Sequence, residues 1–119
     1  MALIPLYEAK TYLRVDSSDE DVLIGILLST ATQTAADVAR LTREQWAAVD
    51  AVATDGDGNI LPTDTDLYTE EELKELRGIM RGAVLYALGY LYEHREEADH
   101  HELVMTLRNL LFSVREGVF

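Results

Sequence analysis

Between Thr69 and Glu96 the sequence carries one unbroken helical pattern, and the rest of the chain has to be arranged around it. Leu73, Leu76, Ile79, Met80, Ala83, Val84, Ala87 and Leu91 recur at three- and four-residue spacing, the repeat of a single helix face. Thr69 followed by Glu72 is a capping-box pattern, and Glu70 and Glu71 beside them face the positive end of the helix dipole. From Ala83 to Tyr92 the helix is apolar nearly all round, adding Leu85, Tyr86, Leu88 and Tyr90. A helix with no polar face must be covered on every side. In a chain of 119 residues the remaining helices cannot wrap it completely, so part of this surface is predicted to meet a partner.

The other segments follow the same period. Only two prolines occur, Pro5 and Pro62, and both lie outside the periodic stretches. A first helix is predicted over 5–14, with Pro5 at its first position and Leu6, Ala9, Lys10 and Leu13 on one face; Leu3 packs just ahead of it. A second runs over 19–41, with Ser18 as N-cap and a stripe of Val22, Leu23, Ile26, Leu27, Ala31, Ala35, Val38 and Leu41. Its alanine- and threonine-rich middle allows a neighbour to approach closely. Thr42 and Gln45 form another capping-box pattern and restart the chain as a short helix to Val52, with Trp46 and Val49 on its apolar side. Asp99 and Glu102 are placed at the start of a last helix over 100–114, with Leu103, Leu107, Leu110 and Leu111 inward. Strand alternation is nowhere sustained. The expected fold is therefore all-α: one domain over 1–119, a small bundle of four to five helices with one long central helix and an acidic loop at about 54–69.

Composition narrows function by exclusion. There is no cysteine, which removes disulfides, thiolate metal sites and cysteine nucleophiles. The 22 Asp and Glu against 10 Lys and Arg give a net charge of -12, unfavourable for a general nucleic-acid binder or for an anionic membrane surface. No apolar run approaches the roughly 18 residues of a membrane span. The four apolar residues from Ala2 to Pro5 are too short for the core of a signal peptide, so an intracellular protein is expected.

Three acidic or histidine-rich patterns invite a metal and are set aside. Asp55, Asp57 and Asn59 match the first ligand positions of a calcium loop, but Ile60 replaces the glycine of the turn and Asp66 stands at the twelfth position in place of a bidentate Glu. His94, His100 and His101 lie among acids but lack helical ligand spacing. Glu72-x-x-Glu75 and Glu96-x-x-Asp99 resemble the magnesium pairs of all-α nucleoside-triphosphate pyrophosphohydrolases, which face each other from adjacent helices. Here the two pairs lie on one helix, roughly 30 Å apart, and only an oligomer could join them. The chain is read as not an enzyme, with no catalytic, cofactor or metal residues. Lys74, Arg77 and Arg81 make a basic line at i, i+3, i+7, open to two readings: surface pairs with Glu70 and its neighbours, or contact with an acidic patch on another copy.

Two segments resemble the head–tail connector (adaptor) proteins of long-tailed bacteriophages and prophages. Leu6 to Thr32 is similar to that family's opening, a short helix with a Leu-x-x-x-Lys-x-x-Leu-Arg-Val-Asp signature, a Ser/Asp turn, acids and a long apolar helix. Leu6, Lys10, Leu13, Arg14, Val15, Asp16, Asp19, Asp21, Leu23 and Ile24 stand in that order. Ala83 to Ala98 resembles the central helix, which ends in a Leu-Tyr-x-x-Arg element, here Leu91, Tyr92 and Arg95. The segment with Leu107, Leu110 and Leu111 resembles the closing helix more loosely. The chain differs from the family at Leu41-Thr42-Arg43, where a glycine is missing, in a longer acidic insertion, and in lacking a Pro-Gly before the last helix.

The resemblance implies a homo-oligomeric ring of about a dozen copies at the head–tail junction of a virion, assembled in the host cytoplasm. Such a ring docks under the portal protein, extends a DNA channel without binding DNA specifically, and receives a neck or tail-completion protein. No cofactor and no membrane are implied. Lys74, Arg77, Arg81, Leu85, Tyr86 and Tyr90 are then the candidate subunit or portal interface, and Asp55, Asp57, Asn59, Ile60 and Leu61 a candidate docking loop. Two other functions compete: a small acidic helical regulator of a basic protein, and the magnesium-dependent pyrophosphohydrolase.

Overall fold

The protein is described by a computed structural model covering residues 3–50, 67–94 and 100–116. These residues form six helices and no strand: α1 (Leu6–Leu13), α2 (Asp21–Ala39), α3 (Arg43–Asp50), α4 (Glu70–Glu93), α5 (His101–Leu110) and α6 (Phe112–Glu116). The all-α architecture around one long helix is the one the periodicity predicts. The sixth helix arises because the predicted last helix breaks at Leu111, a bend that keeps Leu111 and Val114 in the core.

Helix starts follow the capping chemistry closely where a box is present. Thr69 Oγ1 accepts from the Glu72 amide at 3.2 Å while Glu72 Oε1 accepts from the Thr69 amide at 2.9 Å. Thr42 and Gln45 repeat the arrangement at 3.1 and 2.9 Å. Elsewhere the caps differ from expectation. Pro5 is the extended N-cap of α1 instead of its first helical residue. Glu20, not Ser18, is the N-cap of α2; the Ser18 carbonyl accepts from the Asp21 amide in the turn before it. His100 precedes α5 with no side-chain cap, and Asp99 lies outside the described residues.

The stops of α1 and α2 share one device. Arg14 and Arg40 adopt left-handed backbone, φ 60° and 59°, and the next residue bonds back across the turn, Val15 N to Lys10 O and Leu41 N to Ala36 O. This is the Schellman arrangement, usually built on glycine. Here Val15 and Leu41 swing onto the core and hold the turn in place. The second helix therefore ends at Ala39, two residues before the predicted limit.

The bundle is organised on α2 and α4, which make the most extensive contact between any two elements. α2 contributes Ile24, Ala31, Ala35 and Ala39, and α4 contributes Leu76, Met80, Ala83, Val84, Ala87 and Leu88, to one continuous core. Alanine at every fourth position of α2 lets the helix axes come close. This places the α2 stripe differently from the sequence reading. Val22 is 78% exposed and Ile26 60%, while Ile24 is buried. The segment from Val22 to Leu28 is apolar all round except at Gly25, so its inward side is decided by the alanines that follow, seven residues beyond Ile24 and onward. Leu110, also expected inward, is 49% exposed.

By length and composition α2 contains an 18-residue window apolar enough and poor enough in charge to cross a membrane, which corrects the reading that no such stretch exists. Threonine, serine, glutamine and alanine interrupt the apolar run without adding charge. In the bundle one face of this helix packs against α4.

Two substitutions test this account. Ala35 is wholly buried, and Ala35→Leu forces the α2–α4 contact apart; urea unfolding should show a loss of about 1–3 kcal/mol. Arg40→Gly removes the left-handed penalty at the end of α2 and should raise stability by about 0.5–1 kcal/mol, read as a higher melting temperature.

Candidate subunit interface

The outward face of α4 forms the floor of a long groove, with Tyr12 of α1 and Leu110 of α5 reaching its edges. At the start of α4 the groove is lined by Glu71, Lys74, Glu75 and Gly78. Its middle, about 490 Å³, lies over Gly78, Gly82 and Leu85 beside Tyr86. It ends at Gly89, Glu93 and His94. The three parts share lining residues and are continuous. Gly89 is fixed by its own chain: a Cβ there would sit 3.2 Å from the Tyr12 ring. At Gly78 and Gly82 a Cβ would meet nothing within 4 Å.

The six residues proposed for an interface fall into separate surroundings. Lys74 is exposed in the groove. Arg81 turns to its own chain, pairing with Glu8 of α1 and donating to the Leu3 carbonyl at 2.8 Å. Leu3 is also held through its amide, which donates to Asp50 Oδ1 at 3.1 Å, so Arg81 and Asp50 together pin the buried Leu3–Ile4 segment. Neither sequence reading of Arg81, a bond to Glu70 and its neighbours or to another copy, named Glu8; the partner comes from α1, distant in sequence. Arg77 is half-buried, and its Nε has no hydrogen-bond partner among the described residues. Leu85 and Tyr86 line the groove, with Tyr86 40% exposed. Tyr90 faces the α4–α5 joint, stacked on His94 at 4.2 Å between ring centres and edge-on to His100 at 6.0 Å.

Among the described residues no group of three or more His, Asp or Glu converges. His94 and His100 serve the aromatic cluster around Tyr90, and His94 Nδ1 lies 2.9 Å from the Tyr90 carbonyl. α4 runs unbroken from Glu70 to Glu93 and is capped at His94, short of the predicted limit at Glu96, so the helix carries only the first acidic pair among the described residues. Glu96, Asp99 and the loop residues Asp55, Asp57, Asn59, Ile60, Leu61 and Asp66 lie outside the described residues. Next to the α4 cap, burial pushes the Tyr68 phenol above its ordinary pKa; a hydrogen bond to Gln45 opposes this and the charge of Glu72 adds to it.

No family model matches the chain, and no curated protein or solved structure is similar enough to it to serve as a relative.

Sequence reasoning missed the glycine floor and the outward side of α2. The signal for the first was Gly78 and Gly82 four residues apart in a helix interior, where glycine costs about 1 kcal/mol against alanine. For the second it was the absence of any charge from Val22 to Ala36.

Removing the Arg81 guanidinium severs a charge-assisted bond and an ion pair to α1 and the N-terminal segment. Arg81→Ala should therefore lower stability by about 1.5–3 kcal/mol. Lys74→Ala, at an exposed position, should stay within about 0.5 kcal/mol in the same denaturation assay.

Proposed function

We propose that this chain is a structural assembly subunit, a head–tail connector of a long-tailed bacteriophage or prophage, acting as a copy in a ring between portal and neck. The observation that carries the reading is the corner between α1 and α2, where the residues resembling the connector signature work as a set. Lys10 pairs with Asp21 at 2.8 Å across the corner. Arg14 takes the left-handed turn, Leu13 and Val15 pack against the core, and Ile24 is buried below. Tyr92, from the second resembling segment, donates to the Glu20 carboxylate at the head of α2. The two segments thus meet in the fold.

Surface chemistry supports the same reading. Tyr86, Met105, Leu110 and Phe112 are each at least 40% exposed, a cost more easily explained for a subunit that is covered on assembly. A net charge of -12 suits a wall along which DNA moves, because like charge denies the phosphates a contact. The protein's work is geometric: a rigid helical wedge that presents one surface to a portal and another to the next neck component.

The test is co-sedimentation with purified, DNA-filled heads that carry portal but lack connector. Stoichiometric attachment of several copies per head is the expected result. A folded protein that fails to bind such heads would sink the reading. Monomeric behaviour in free solution would not, since a portal can template the ring.

A further inference from the structure

The outward faces of α2 and α4 are complementary in shape, length and charge, and they point in opposite directions. Each helix buries its other side in the contact they share, so one face looks out from each side of that pair. On α2 the outward positions are Val22, Ile26, Ser29 and Gln33; on α4 they are Gly78, Gly82, Leu85 and, at the end of the groove against the Tyr12 ring, Gly89. Both sets follow a 4-3-4 spacing, the 3.5-residue repeat of a two-helix seam, and both extend about 17 Å. One is a ridge, with Val22 and Ile26 standing proud at 78% and 60% exposure. The other is a groove floored by glycine, where Gly78 and Gly82 have nothing in their own chain to make room for.

We infer that α2 of one copy lies antiparallel in the α4 groove of the next, making a head-to-tail contact between copies of this chain. Charge fixes both the occupant and the direction. Centring the two seams antiparallel sets Ser29 over Gly82, and the same register brings Asp37 to Lys74 at one end. Lys74 has no ion-pair partner among the described residues. The parallel alternative sets Asp37 against Glu93, a like-charge pair. Pairing α4 with α4 joins two concave faces, whose edges at Tyr12 and Leu110 meet before the glycine floors do. Because the two faces lie on opposite sides of the subunit, the contact is heterologous and propagates from copy to copy. Its closure into a ring rests on the connector reading; the pairing itself does not.

The absence of cysteine makes the test clean. Ser29→Cys and Gly82→Cys both fall on open positions, and in one chain they face opposite ways. Oxidised at on the order of 1 mM protein, the folded S29C/G82C chain should give a ladder of disulfide-linked dimers, trimers and higher species. The two single variants, mixed, should stop at dimers. No ladder, or efficient dimerisation of either single variant alone, overturns the proposal, the latter in favour of a symmetric contact. The register has its own test in the same assay. K74E should slow ladder formation about threefold or more, and adding D37K should restore it. Both changes suit the helix ends where they sit, so folding is preserved. If D37K restores nothing, the register is wrong and the proposal falls. Ladders without head binding would leave this contact standing and remove the connector reading. Head binding without ladders would do the reverse.

Discussion

The close packing of α2 on α4 is the constraint from which the rest of the molecule follows. Ala31, Ala35 and Ala39 present almost no side chain, so the two backbones approach until larger residues of α4, Met80 and Leu88 among them, fill the remaining space. Once that face is chosen, every other face is determined. α1, α5 and α6 can only close the sides, and Val22 and Ile26 must look outward however apolar they are. The burial of Ile24 and the exposure of Ile26 are two consequences of one alanine ladder.

Among the described residues, a group of tertiary bonds gathers at the N-terminal part of the chain. Lys10 to Asp21, Arg81 to Glu8 and Leu3, and Asp50 to Leu3 tie α1 and the segment before it to α2, α4 and α3, and Tyr92 to Glu20 ties α4 to the head of α2. A helix of eight residues has little intrinsic stability. α1 is held by what it touches at both ends, not by its own backbone bonds. The charged residues of the α1–α2 corner are thus structural, and a sequence pattern that joins them can persist for packing reasons alone.

The fold was largely legible because helical period, proline placement and capping boxes are local signals, and the two boxes at Thr42 and Thr69 form as their spacing predicts. The errors come from non-local causes. Arg14 and Arg40 end helices in a conformation that sequence readers look for at glycine, and what allows it is the docking of Val15 and Leu41 on a core that local pattern cannot show. An all-apolar run such as Val22 to Leu28 leaves its inward side undetermined until a partner helix is in place. Among the site residues, Leu85 and Tyr86 could be picked out by hydrophobicity, whereas Arg81 was assigned to a surface role and turned to α1, because the sequence gives no hint that Glu8 lies beside it.

Charge now looks less like a global property than a map of where this chain can be touched. Nine of the 22 acids fall between Asp50 and Glu75, with Lys74 the single base among them. Copies carrying -12 repel one another, but at physiological salt that repulsion reaches only about 8 Å, so it is decided by what lies on the approaching faces. Two faces are free of charge over about 17 Å, the α2 ridge and the α4 groove. The charge distribution therefore leaves two uncharged outward faces, on the two helices whose inner faces already define the fold.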